Sequence, residues 1–320
     1  MTKEAAAITF LGCLLVWSAS TRPHTIAECW EPGTSCSLAP EQLHTGVWGS
    51  GPNDVWVVGT STVTSTGTFA HWDGATWTRG PTEDAPALWG VWGAKPDDFW
   101  AVGDRGTVLH RARGAWTVSR SGATTDTALL GVWGSGTDDV WAVGVGGIIT
   151  HWNGAAWSTT PPDVTAGTLV GVWGSGASDV WAVGKSGVVL RWNGASWKAS
   201  TSGVRTPLFD VWGNGPRDVW AVGGGGTILH WDGNKWSSSP QSHTDADLLG
   251  VWGSGPRDVW AVGARGAILH WDGETWTGVP SGTVETLNEI WGTRAGDVWV
   301  TGRASTILHW DGTRWSGSPS

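Results

Sequence analysis

Aspartate and histidine are the residue types in this 320-residue sequence that could support acid–base or metal chemistry, and both recur at fixed positions. Seven aspartates each stand two residues before a tryptophan: Asp54, Asp98, Asp139, Asp179, Asp218, Asp258 and Asp297. Six histidines recur at one later position, where one copy has Arg191 instead: His71, His110, His151, His230, His270 and His309. A zinc ion needs its ligands about 2.0–2.1 Å away, and equivalent positions of separate repeats cannot converge in that way. We therefore predict structural histidines and no metal.

The aspartates are also poor candidates for catalysis, because catalysis needs one or two special carboxylates and not seven equivalent ones. We expect each of them to accept backbone N–H bonds in the turn before a strand. No serine lies in a G-x-S-x-G pattern between a strand and a helix. The glycine run 223–226 is turn material, because no helix N-terminus follows to hold a phosphate. The sequence therefore predicts no catalytic residue and no cofactor.

These residues belong to a repeat that fills the chain from residue 44 onwards. Its first tryptophan recurs at steps of 44, 41, 40, 39, 40 and 39 residues: Trp48, Trp92, Trp133, Trp173, Trp212, Trp252 and Trp291. Each copy has four strand-like pieces (LxGVWG, DVWAVG, GTILHW and a last piece beginning at a tryptophan) separated by glycine-containing turns. Four antiparallel strands in about 40 residues make one propeller blade. We predict an all-β, seven-bladed β-propeller over 44–320, with blades at about 44–87, 88–128, 129–168, 169–207, 208–247, 248–286 and 287–320.

The second strand-like piece is apolar on both of its alternating faces. In the third copy, Trp141 and Val143 alternate with Val140 and Ala142. A strand with one face in water would alternate with polar residues, whereas a blade is covered by a neighbour on each side. The pattern therefore favours a propeller over a two-layer sandwich. Two copies depart from the repeat, at residues 60–67 and 110–113, and we expect both blades to form with altered edges.

Tryptophan dominates the aromatic residues, with 30 tryptophans, four phenylalanines and no tyrosine. All except Trp17, Trp30 and Trp89 occupy repeat positions. Burying one aromatic side chain removes roughly 150–250 Å² from water, worth about 4–6 kcal/mol gross at about 25 cal/mol per Å². We interpret the repeat tryptophans as core and inter-blade packing. Trp89 lies outside the register, beside a long connection, and is the tryptophan that we predict to contact a ligand.

The first 20 residues are typical of a secretory signal peptide. A short apolar run of 15 residues follows Lys3, and Ser18, Ala19 and Ser20 offer small side chains for cleavage. The alternative is a lipoprotein signal, in which Cys13 of the sequence FLGC carries the lipid. Export would favour a Cys29–Cys36 disulfide in the segment 21–43, where Pro-Gly can turn the chain back. We expect a secreted protein, or a periplasmic or cell-surface one.

The motifs LxGVWG, DVWAVG and GxILHWDGxxW resemble those of tectonin-type β-propellers. They are also similar to the VWGSGPxDVWAVG repeats common in exported bacterial proteins. The tectonin resemblance covers 44–315 and implies a binding protein, often one for glycans or cell-surface components. A weaker likeness is to Asp-box propellers, which include sialidases. Those enzymes use a tyrosine nucleophile, which this sequence lacks, so the sialidase class is disfavoured.

Comparison of the seven copies with one another shows where they differ. The turns after the first and third strands are nearly constant, whereas the turns after the second strand and the connections between copies vary. In an up-and-down blade the two variable sets lie at one end of the strands, and loops on a rigid scaffold commonly carry binding. We predict that this end binds the partner, and the candidate residues are Arg105, Lys185, Arg265 and Arg303.

The net charge of −9, without any basic run, argues against nucleic acid or an anionic membrane as the partner. We therefore predict a monomeric, non-enzymatic module that binds a protein or a cell-surface glycan and does not insert into membranes. One alternative is a lectin with repeated sugar sites between blades, which exposed repeat tryptophans would support. The other is a hydrolase or lyase, which needs a cluster of acidic or basic residues at the axis.

Overall fold

The computed structural model describes residues 42–79, 85–120, 127–160, 167–239 and 244–317. The signal peptide, the lipidation site at Cys13 and the Cys29–Cys36 disulfide lie outside the described residues and stay predictions. Each copy of the repeat forms four short strands of three to ten residues, because its glycine-rich turns alternate with short strand-forming runs.

The first strands of the seven blades are β1 (Gln42–Gly51), β5 (Leu88–Lys95), β9 (Leu129–Gly136), β13 (Leu169–Gly176), β17 (Leu208–Gly215), β21 (Leu248–Gly255) and β25 (Leu287–Arg294). The second strands are β2 (Asp54–Ser61), β6 (Asp98–Gly103), β10 (Asp139–Gly144), β14 (Asp179–Gly184), β18 (Asp218–Gly223), β22 (Asp258–Gly263) and β26 (Asp297–Gly302). The third strands are β3 (Gly67–Trp72), β7 (Thr107–Ala112), β11 (Ile149–Trp152), β15 (Val189–Trp192), β19 (Ile228–Trp231), β23 (Ile268–Trp271) and β27 (Ile307–Trp310). The fourth strands are β4 (Trp77–Arg79), β8 (Ala115–Arg120), β12 (Trp157–Thr160), β16 (Trp197–Ser200), β20 (Trp236–Ser238), β24 (Trp276–Gly278) and β28 (Trp315–Gly317).

These strands form seven antiparallel sheets of four consecutive strands, so the predicted seven-bladed propeller is confirmed. The first strands contact one another in a closed circle and are therefore the inner strands around the axis. The circle closes between β25 and β1, where the Asn288 side-chain amide donates to the His44 carbonyl at 2.6 Å. Trp299 of the last blade packs on Trp72 and Trp77 of the first. Side-by-side packing closes the ring, and each blade keeps its own four strands.

Tryptophans fill the interfaces between blades. Trp100 of the second blade is fully buried, and its ring lies 5.3 Å from those of both Trp152 and Trp157 of the third blade. Both neighbours meet it in tilted or edge-on geometry, which is favourable for aromatic pairs. Among the described residues the exposed large apolar side chains are valines, and every tryptophan is at least half-buried. This confirms that the repeat tryptophans pack between blades.

Glycine allows the inner strands to approach one another closely. A Cβ atom on Gly93 would lie 2.6 Å from Cη2 of Trp48 in the preceding blade and 2.5 Å from Cβ of Phe99. The same contact, between an inner-strand tryptophan and a glycine of the next blade, recurs around the ring. Any side chain at these positions would force the blades apart.

Two arginines that replace repeat residues keep the interfaces between blades filled. In the second blade Arg111 replaces the third-strand tryptophan, and its guanidinium lies 4.9 Å from the Trp56 ring centre. The same guanidinium donates to Asp97 at 2.7 Å. In the fourth blade Arg191 replaces the histidine and lies 4.7 Å from the Trp181 ring. A stacked arginine can thus take the place of an aromatic ring. The first and second blades, where the sequence departs from the repeat at residues 60–67 and 110–113, both form four-stranded sheets as expected.

Candidate functional site

The recurring aspartates and histidines meet within six of the seven blades, and in the fourth blade Arg191 meets Asp179 instead. Nε2 of His151 lies 2.6 Å from Oδ1 of Asp139, and Ser135 donates to the other carboxylate oxygen at 2.5 Å. The imidazole stacks on Trp141 with ring centres 4.0 Å apart. In the first, fifth and sixth blades the indole N–H also donates to the aspartate. The prediction that these carboxylates accept backbone N–H bonds was wrong, because their observed donors are side chains.

Although serine, aspartate and histidine occur together, their order excludes serine-protease chemistry at this cluster. A serine nucleophile needs the histidine beside it as a general base, with the aspartate behind the histidine. Here the aspartate lies in the middle and Ser135 donates to the carboxylate. The hydroxyl is therefore bonded to a group that holds it in place and does not activate it.

The pKa values of three of these aspartates reflect the same contacts. Burial alone would raise the pKa of Asp139, Asp258 and Asp297. Hydrogen bonds from histidine and from serine or threonine outweigh burial, so each pKa lies below its ordinary value. The carboxylates are ionised at neutral pH and tie the second strand to the third, which is a structural role.

One end of the strands carries both variable sets of loops, and we call it the variable face. In six blades, the residue that opens the turn between the second and third strands donates its N–H to the residue just before the first strand. Lys185 bonds to the carbonyl of Thr168 at 2.9 Å, and Arg303 bonds to that of Thr286 at 2.9 Å. At the other end, the constant face, glycines of the turn after the third strand lie against the turn after the first, as Gly154 does against Asp138.

The four predicted basic residues all lie exposed on the variable face, but at two different positions of the turn. Lys185 and Arg303 open their turns, whereas Arg105 and Arg265 are the next residue, with φ of 57° and 59°. Arg265 forms an ion pair with Asp245. The other three have no ion pair with any described residue, which leaves them available to a partner.

Trp89 lies near the start of a strand, just after the long connection between the first two blades. It is the second residue of β5, where other copies have Thr45, Leu130, Val170, Phe209, Leu249 and Asn288. Its indole N–H donates to Asp104 of the neighbouring turn at 2.7 Å. The indole is half-buried near the variable face, and its contact with a ligand stays a prediction.

A groove of about 840 Å³ also opens on the variable face, at the sixth blade. Its walls include Ile268 of the third strand and Val279, Pro280 and Val284 of the connection to the seventh blade. Val284 is 83% exposed, which is unusual for a large apolar side chain in this fold. The apolar walls are flanked by polar residues such as Ser281 and Thr283, so the groove could accept a hydrophobic side chain beside polar groups.

Two acidic residues lie on the inner strands, and the sequence analysis missed them. The third residue of the LxGVWG piece is glycine in five copies, but it is Asp210 in the fifth and Glu289 in the seventh. Burial raises the pKa of Asp210 to about 7. Burial and the neighbouring Asp210 carboxylate raise the pKa of Glu289 well above its ordinary value. The substitution of glycine by an acid in only these copies was the signal that could have revealed them.

No family model matches the sequence, and no curated protein matches it. Solved structures do match. YCF48 from Cyanidioschyzon merolae is 18% identical with a TM-score of 0.70, covering 87% of this chain and 98% of that one. YCF48 bound to D1 peptide is 18% identical with a TM-score of 0.67, covering 84% and 93%.

The WD40 β-propeller domain of Doa1 also has a TM-score of 0.67, at 10% identity, and covers 84% of this chain and 92% of its own. The likeness is one of fold. At these identities it shows the seven-bladed propeller fold and no particular function. The tectonin-type resemblance stays a prediction.

Metal sites, membrane-spanning helices and repeated sugar sites find little support in the part of the chain that the structure describes. It contains no group of three or more His, Cys, Asp or Glu side chains placed to hold a metal ion. It also contains no helix long and apolar enough to cross a membrane. None of its tryptophans is exposed, so the repeated sugar sites of a lectin gain no support from the blade interfaces.

Proposed function

We propose that this chain is a non-enzymatic propeller that binds a protein partner on its variable face. The observation that carries the proposal is the combination of three exposed cations without ion pairs and a groove that presents Val284. Interfaces need an apolar contact surrounded by polar groups, and these features supply both on one face.

The structural neighbours support a polypeptide as the partner. One of them is described as YCF48 bound to D1 peptide, so a propeller of this size and strand order can hold a peptide. Glycan binding, which the tectonin resemblance implies, is the alternative outcome of the test.

The test is to select binders from a random-peptide display library on the immobilised protein and to measure the affinity of a selected peptide. The variant R105A/K185A/R303A removes the three free cations of the variable face. Its matched control, R217A/R257A/R294A, removes three exposed arginines beside the turns of the constant face. We expect binding to weaken at least tenfold in the first variant and to stay unchanged in the second. Equal binding by both variants would contradict the proposal, as would glycan-array hits without any peptide binder.

We also propose that the protein is exported, with Cys29 and Cys36 joined in a disulfide. The support is the apolar run and small residues within positions 1–20 and the Pro-Gly between the two cysteines. The test is N-terminal sequencing and thiol counting of protein recovered from the medium and from cell fractions. A start near residue 21 and no free thiol would support the proposal, and a lipid-modified Cys13 at the N-terminus would support the lipoprotein form. An intact Met1 in the cytosolic fraction would refute export.

A further inference from the structure

Asp210 and Glu289 lie on the two inner strands that flank β21. Oδ2 of Asp210 reaches across to β21 and accepts the Val251 N–H at 2.9 Å. Oε1 of Glu289 accepts the N–H of Ile290 at 3.0 Å and lies 3.2 Å from the position that a Cβ atom on Gly250 would occupy. The two carboxyl groups therefore approach β21 from the strands on its two sides, near the variable face.

Neither carboxyl group has a cationic partner among the described residues. The elements around them are β13, β17, β21, β25 and β1, and the other titratable or charged side chains on these strands are Arg294, at the far end of β25, and His44. Neither of them forms an ion pair with Asp210 or Glu289. A half-buried carboxylate without a counter-charge is costly, so this site favours protonation or a bound cation.

A third polar group at the same place also lacks a partner. Thr301 replaces the valine found at its position in the other six blades, and it pairs in register with Glu289 across β25 and β26. Side chains of such a pair lie on the same side of the sheet. Thr301 is 0% exposed, and its hydroxyl has no hydrogen-bond partner. The seventh blade thus carries two polar substitutions side by side, and the buried one is unsatisfied.

We propose that the acidic site formed by Asp210 and Glu289, on the two strands that flank β21, receives a cationic side chain, lysine or arginine, from the partner polypeptide. This inference rests on the proposed function and names the chemistry of the partner. An ammonium or guanidinium group can donate to both carboxylates and neutralise them. Two carboxylates are too few for a metal cage, whereas they match the several N–H donors of one basic side chain.

The test uses peptides selected on the wild-type protein from the same random-peptide library. We expect lysine or arginine to be enriched at one position of the selected peptides. Replacing that residue by norleucine should weaken binding to the wild type at least tenfold. The variant D210N/E289Q should weaken binding of the original peptide by a similar factor and should no longer distinguish it from the norleucine peptide.

Three controls keep the outcomes separate. D210G/E289G restores the repeat glycine and should lose binding in the same way, and near-ultraviolet circular dichroism checks that both double variants fold. Unchanged binding by D210N/E289Q, or no basic residue in the selected peptides, would overturn this inference and leave the proposed function standing. Absence of any selected peptide would overturn the proposed function itself. Calorimetric binding of Ca²⁺ or Mg²⁺ to the wild type, lost in D210N/E289Q, would assign the acidic site to a metal and overturn the side-chain proposal.

Discussion

Replacing Asp210 by asparagine should make the propeller more stable at neutral and alkaline pH. Burial raises the pKa of this carboxyl from its ordinary 3.8 to about 7, a difference of about three pKa units. At about 1.36 kcal/mol per unit, the cost of ionising Asp210 in the fold is at most about 4 kcal/mol. The side chain is only half-buried, so solvent screening lowers this cost, and we expect a gain of about 2 kcal/mol for D210N.

The sign of the pH dependence follows from the direction of the shift. Because the pKa of Asp210 is higher in the folded state than in the unfolded state, the wild type suffers no penalty below pH about 3.8. It loses stability as the pH rises from there through about 7. The advantage of D210N should therefore be near zero at pH 4 and reach its full value at pH 8. Part of it comes from Glu289, whose pKa the Asp210 carboxylate raises.

The measurement is urea unfolding followed by tryptophan fluorescence at pH 4, 6 and 8, for the wild type and D210N. The control variant is D138N, which replaces an exposed carboxylate on the constant face. It should track the wild type at all three pH values. If D210N were no more stable than the wild type at pH 8, or if its advantage did not change with pH, the unpaired carboxylate would not have the environment described here.

Three further predictions concern the scaffold and can be checked by the same unfolding assay at pH 7. G93A should lower the free energy of unfolding by about 2 kcal/mol, because the new methyl group would collide with Trp48. G51A has open space around it and should lower that free energy far less. Equal losses in the two variants would contradict this. D139N should cost about 2 kcal/mol by weakening the bonds to the histidine and serine. Its deficit should shrink as the pH falls below about 4, because the lowered pKa of Asp139 stabilises the fold only above that range. R111A should cost about 1–2 kcal/mol, while R111W, which restores the repeat residue, should lie within about 1 kcal/mol of the wild type; a larger loss in R111W would show that the cation is needed.

The number of blades and their strands could be predicted because every copy repeats the same local signals. The spacing of Trp48 and its equivalents set the blade length, and the apolar faces around Trp141 required a neighbour on each side. The partners of the aspartates could not be predicted in this way. Asp139 and His151 are 12 residues apart, and only the register of the second and third strands brings them into contact. In the sequence, an aspartate that bonds within its own turn looks the same as one that bonds to a side chain of the next strand.

The axial acids were missed for a different reason. Asp210 and Glu289 are 79 residues apart and lie in blades that are not adjacent, so only the packing of both blades against the sixth places the two acids beside β21. Differences between copies are also ambiguous in the sequence. Arg111 and Arg191 depart from the repeat as clearly as the two acids do, yet both stack on a tryptophan and pair with an aspartate.

What separates the two kinds of departure is whether the new side chain has a partner inside the fold. The two arginines are compensated by contacts in their own interfaces, so their substitutions preserve the packing and need no further explanation. The charges of Asp210 and Glu289 have no counter-ion among the described residues. Burying such a charge destabilises the fold, and packing does not offset the loss. In a ring of seven equal blades, a costly departure that the fold leaves uncompensated is the place where a partner can supply the missing charge.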